Sequence, residues 1–155
     1  MDDGRDSLIY NMNSRKILIF GVFDGIHEGH RYFINEAKTY GDHLVAIVAR
    51  DAVVKDLKGE LPKETEVERI DGLLKIPEID LVLLGDPHIG TYNVLKEVKP
   101  DIIFLGYDQN NLMKDINKKI KNKELSDMEI IMGTPHKGDE LHSSIINKKA
   151  KKFDK

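Results

Sequence analysis

The chain alternates short runs of consecutive Ile, Val and Leu with longer stretches whose apolar residues recur at helical spacing. The runs are KILIFG from Lys16, HLVAIVA from His43, IDLVLLG from Ile79, PDIIFLG from Pro100 and MEIIMG from Met128. Uninterrupted apolar runs of this length mark strands buried on both faces, as in a parallel sheet whose crossovers are helices. EGHRYFINEAKTYG puts Phe33, Ala37 and Tyr40 on one helical face, with Gly41 as its stop signal. TEVERIDGLLK, YNVLKEV and the lysine-rich NNLMKDINKKIKNKEL predict three more helices, and a last one starts near Ser143. RDAVVKDLKGELPKE reads as a charged connection.

Right-handed crossovers turn this order into an α/β fold: a Rossmann-like, doubly wound parallel five-stranded sheet in a three-layer α/β/α sandwich. Residues 1–15 lack periodicity and read as an N-terminal extension, which leaves 16–155 as a single domain. Ligands of such sheets bind beyond the carboxyl ends of the strands, where strand order reverses.

Composition narrows the picture. A net charge of −3 is no match for nucleic acid. The lysines of 114–123 lack the interleaved aromatic residues of a stacking surface, so no nucleic-acid partner is expected. The chain has no cysteine, hence no disulfide or thiolate metal site. With no membrane-length apolar run and an acidic, polar start, it reads as a cytoplasmic domain with no membrane partner.

The chemistry concentrates in IFGVFDGIHEGHRYF, Ile19 to Phe33, a strand, a turn and a helix start carrying His27 and His30. Two imidazoles three residues apart can share a metal ion, fill a core or hold a phosphate. A metal site wants a third ligand, and no His/Asp/Glu cluster of strong spacing follows, so no metal ligand is assigned. A phosphate suits the place: unpaired N–H groups at a helix N-terminus attract anions, and Gly29 removes the Cβ that would keep one away.

GVFDGIHEGH resembles the G-x-F-D-x-x-H-x-G-H signature of the HxGH-motif nucleotidyltransferase superfamily, and the similarity runs from Lys16 to Lys149. That resemblance implies an α/β enzyme joining a nucleoside triphosphate to a phosphate-bearing acceptor with release of pyrophosphate. It implies that Val22 and Phe23 line the nucleotide by backbone and ring, with Glu28 and Gly29 beside it, and that His27 and His30 hold the reacting phosphates. Lys55 and Lys58 match a lysine-bearing loop, and Arg69 matches an arginine that reaches phosphates. Gly106 and Asp108 match the nucleoside contacts after the fourth strand, and Ser143 and Ser144 the pair that binds the outer phosphates. His27, His30, Lys58 and Arg69 are the implied catalytic set.

Within the superfamily, RD-x-x-x-x-x-LKG, PDIIFLGYDQ and LHSS most resemble the archaeal-type FAD synthases, which transfer AMP from ATP to FMN. A divalent cation, Mg²⁺, accompanying ATP and a homodimeric assembly are implied with them. Glycerol-3-phosphate cytidylyltransferases share the first half but carry an arginine where this chain has Gly133. Sugar-phosphate adenylyltransferases usually show G-G-D at Gly106-Tyr107-Asp108. Val22 stands where threonine is common, and cysteines that some archaeal FAD synthases carry near the C-terminus are missing. A catalytically silent nucleotide-binding module is the reading from another class.

Overall fold

The computed structural model describes residues 14–136. Five strands, β1 (Lys16–Gly21), β2 (His43–Val48), β3 (Leu81–Leu84), β4 (Ile102–Leu105) and β5 (Glu129–Met132), form one sheet in the order β3-β2-β1-β4-β5. Every pairing is parallel. Five helices connect them: α1 (Glu28–Lys38), α2 (Asp51–Lys58), α3 (Glu66–Leu74), α4 (Asn93–Val98) and α5 (Asn110–Lys121).

Alternate residues of the central strands feed two cores. Ile17, Ile19, Leu44, Ala46, Val48 and Phe104 face α1 and α3, whose Ile34, Ala37 and Leu73 complete one layer. Leu18, Val45, Ile47, Ile103 and Leu105 face α4 and α5, whose Val94, Leu95 and Ile116 complete the other. Both faces are therefore dry, which is why the strands read as unbroken apolar runs rather than alternating ones. The chain folds outward from β1 in both directions, so strand order reverses between β1 and β4.

Local rules set the boundaries. Thr65 and Glu68 form a reciprocal capping box at the start of α3. The segment 51–58, read from sequence as a connection, is a helix: Asp51 favours its first turn, Val54 is its buried anchor, and left-handed Gly59 (φ 84°) closes it. Lys55 and Lys58 thus stand on the last turn of a helix, not on a loop. Gly41 does not stop α1, which ends on Thr39 in a right-handed conformation. It is required for space, since a Cβ there would lie 2.3 Å from Ile17 Cδ1 and 2.5 Å from the Arg15 carbonyl oxygen. Arg15, placed in the extension by its sequence, already belongs to the fold: its carbonyl accepts the N–H groups of Asp42 and His43. Among the described residues no helix is long and apolar enough to cross a membrane.

Candidate active site

The carboxyl end of β1 opens into a turn that must release the chain from the sheet and start α1 within six residues, 22–27. Phe23 makes the turn with a left-handed backbone (φ 56°), and its ring folds back over Gly21. A Cβ at Gly21 would lie 2.7 Å from Phe23 Cζ, so the glycine is the floor on which the ring rests. Phe23 is only 3% exposed. Its ring joins the core and stands beside His30, with centroids 5.7 Å apart.

His27 is the N-cap of α1. Its Nδ1 accepts the N–H of Gly29 at 3.0 Å, and the N–H of His30 donates to the same side chain. His30 reaches back, its Nδ1 accepting the N–H of His27 at 3.2 Å. This is a capping box built from two imidazoles in place of the usual hydroxyl and carboxylate. The rings stack with centroids 3.9 Å apart. A backbone N–H only donates, so each Nδ1 is an unprotonated acceptor, and each neutral ring carries its proton on Nε2. Both histidines are thereby fixed in the tautomer that offers an Nε2–H donor.

The same bonds revise the sequence picture of the helix N-terminus. Gly29 is buried, and its N–H is taken by His27. The N–H groups of Gly29 and His30 are thus occupied by the cap.

The turn is stitched to the segment before α3. Asp24 accepts the N–H groups of Lys63 (2.8 Å) and Glu64 (2.9 Å), and Glu64 returns a carboxylate oxygen to the N–H of Gly25 at 2.8 Å. Burial raises the Asp24 carboxyl, but those two N–H groups and the nearby positive charges of Arg69 and Lys63 outweigh it and hold it below its usual range.

Arg69 lies inside the fold. It is 0% exposed, and its guanidinium donates to the carbonyls of Val22, Ala49 and Glu64 and to Asp51. The sequence expectation for Arg69 is a phosphate contact; here its guanidinium is met by protein acceptors. Val22 contributes its carbonyl to this buried contact.

Across the reversal point, the loop after β4 carries Gly106 and Asp108. Gln109 ties it to β1: its Oε1 accepts the Gly106 N–H at 2.7 Å and its Nε2 donates to the Phe20 carbonyl at 3.3 Å. Asp108 is exposed at the mouth of this loop, and a Cβ on Gly106 would press to 3.0 Å from Asp108 Oδ1. Gln109 was not singled out from sequence, where it looks like any polar residue before a helix. His136 was also missed; its Nε2 comes within 3.5 Å of Glu28 Oε2, and its ring centroid lies 5.0 Å from that of Tyr32. Only the return of β5 beside α1 makes that proximity visible.

His27, His30, Gly106 and Asp108 thus flank the β1–β4 crevice, and Lys55 and Lys58 ride on the helix that leaves β2 on the other side of β1. Ser143 and Ser144 lie outside the described residues.

The chain has relatives of known family. The model of the family described as cytidylyltransferase-like matches residues 18–149, most of the chain. The chain belongs to the cytidylyltransferase-like family. It is 35% identical over 134 residues to an FAD synthase of Thermococcus sibiricus, covering 86% of this chain and 90% of that protein. It is 37% identical over 131 residues to an FAD synthase of Pyrococcus horikoshii, covering 84% and 88%. Among solved structures, a Thermoplasma volcanium protein described as a lipopolysaccharide core biosynthesis protein superposes with a TM-score of 0.72. The two are 32% identical, over 79% of this chain and 98% of that one.

Proposed function

We propose that this chain is an FMN adenylyltransferase: it joins AMP from ATP to the phosphate of FMN and releases pyrophosphate. The observation that carries the reading is the pair of imidazoles, 3.9 Å apart between centroids, whose Nδ1 atoms cap the helix and so place each ring proton on Nε2. The names of its relatives in Thermococcus and Pyrococcus support FMN as the acceptor.

An acceptor phosphate oxygen attacks the α-phosphorus of ATP in line with the leaving pyrophosphate, and the substrate itself supplies the nucleophile. Negative charge builds on the α-phosphoryl oxygens as the bond forms. The Nε2–H donors of His27 and His30, fixed before substrate arrives, stabilise that charge without reorganising. Lys58 and Lys55 offset charge on the departing pyrophosphate. Ser143 and Ser144 complete the outer-phosphate site, and Asp108 with Gly106 holds the nucleoside.

A divalent cation, Mg²⁺, shields the triphosphate when bound. The working form is a cytoplasmic homodimer; Val67 and Leu74 of α3 and Leu81 of edge strand β3 are large apolar side chains left exposed, which supports a protein–protein contact there.

The test is pyrophosphate release with Mg²⁺, crossing ATP and CTP against FMN, glycerol 3-phosphate and a sugar 1-phosphate. Release with ATP and FMN alone is the expected result. Release only with CTP and glycerol 3-phosphate overturns both substrates, and nucleotide binding without release from any pair makes the chain a non-catalytic module.

A further inference from the structure

Among the described residues, Arg69 is the charged side chain with no exposed surface. A guanidinium withdrawn from water is destabilising by several kcal/mol unless its N–H groups are met, so the groups that meet it show what it is for. Nη1 donates to the carbonyls of Val22 (2.9 Å) and Ala49 (2.8 Å), Nε to that of Glu64 (3.2 Å), and Nη2 to the Asp51 carboxylate at 2.5 Å. The three carbonyls lie in three different connections, β1 to α1, β2 to α2 and α2 to α3, and Asp51 opens α2.

The position is where the sheet stops holding these segments together. The ladder between β1 and β2 ends with the Ala49 N–H on the Gly21 carbonyl at 2.9 Å. One residue further on, the Val22 and Ala49 carbonyls both point at Nη1, and two such dipoles would repel each other without the cation between them. Glu64 extends the grip, because its own carboxylate and N–H hold the turn that leads into His27.

We propose that Arg69 is a positioning residue that holds the histidine-bearing turn against helix α2, so that His27 and Lys58 address one bound triphosphate, while Arg69 itself touches no phosphate. Its action on catalysis rests on the adenylyltransferase reading above; its clamping of the two segments does not.

Two substitutions test it: Arg69→Lys, which keeps the charge but cannot span four acceptors, and Asp51→Asn, which keeps an acceptor but removes the counter-charge. Because Asp51 is 35% exposed, its variant carries the test alone should Arg69→Lys fail to fold. Arg69→Lys should lower kcat by about 10²-fold, the scale of an ångström-sized misplacement, with KM for ATP changed less than about 3-fold. Asp51→Asn should do the same more weakly, and the double variant should be no worse than Arg69→Lys alone, since the two act through one contact. Amide exchange should quicken together in 21–27 and 50–58 in either variant while β4 is unchanged. A KM for ATP raised tenfold with kcat kept, additive losses in the double variant, or unaltered exchange in the two segments each overturns the proposal. If the unmodified protein turns over no acceptor, the adenylyltransferase reading falls, and the exchange result still decides the clamp.

Discussion

His27 and His30 cap one helix with the same ring atom. Each uses Nδ1 to accept a backbone N–H, and their rings stack at 3.9 Å. A capping residue contributes about 1 kcal/mol to a helix, which any good acceptor can supply. What Asn or Gln cannot supply is an imidazole Nε2–H. The pair therefore has a structural duty and a chemical one that substitution can separate.

His27→Asn and His30→Gln each retain a cap acceptor at the N-cap and third helical positions. Their melting temperatures should stay within a few degrees of the unmodified protein, while kcat for pyrophosphate release falls by at least about 10²-fold, as for loss of one transition-state donor. Near-normal turnover in both would remove the imidazoles from the chemistry. Collapse of the fold in both would mean that the caps depend on the rings themselves.

Gly21→Ala should act on the same site through packing. The new Cβ would sit 2.7 Å from the Phe23 ring, which in turn stands beside His30. Forcing a methyl into a filled space destabilises by about 1–3 kcal/mol. Trimming the ring should relieve it, so Gly21→Ala with Phe23→Leu should melt above Gly21→Ala alone. If the double variant melts lower by the sum of the two single losses, the ring is not what the methyl meets.

Asp24→Asn should loosen the segment before α3. The carboxylate accepts two N–H groups, from Lys63 and Glu64, and an amide offers a single oxygen to replace it. A loss of about 1–2 kcal/mol follows from one poorly satisfied donor. Limited trypsin digestion should then cut faster after Lys63. Unchanged cleavage there and an unchanged melting temperature would show that the stitch carries no weight.

The sheet and the first motif were legible because both depend on short-range rules. Ile17 to Ile19 and Ile102 to Leu105 are buried on two faces, and that alone fixes their composition. The turn to α1 announced itself through Gly21, Phe23, His27 and His30 at fixed spacing. The burial of Arg69 was not legible because it depends on where Val22 and Ala49 end their strands, two positions far from it in sequence. Helix α2 was missed because its apolar face has one buried anchor, Val54, amid charged residues. Gln109 and His136 acquire meaning only when β4 and β5 are laid beside β1 and α1.

Asp86 shows the same long reach and gives a pH test. Tyr92, the N-cap of helix α4, is left-handed (φ 53°) and offers no side-chain cap. Asp86 supplies it from the end of β3, its carboxylate accepting the N–H groups of Asn93 (2.5 Å) and Val94 (2.9 Å) and the Thr91 hydroxyl. Burial raises this carboxyl, but the three donors and the charge of Arg50 outweigh it and bring it below its ordinary 3.8. A carboxyl lowered by folding stabilises the protein fully above that ordinary value and ceases to as pH falls through its own lower one. Asp86→Asn should therefore be less stable than the unmodified protein at neutral pH by about 1–2 kcal/mol, the scale of a lost cap. The gap should hold from about pH 8 down to about pH 5, then narrow as the native carboxylate takes up its proton. Melting curves of both proteins across that range decide it. A gap that persists unchanged into acid would show that the charge of Asp86 is not what holds the helix.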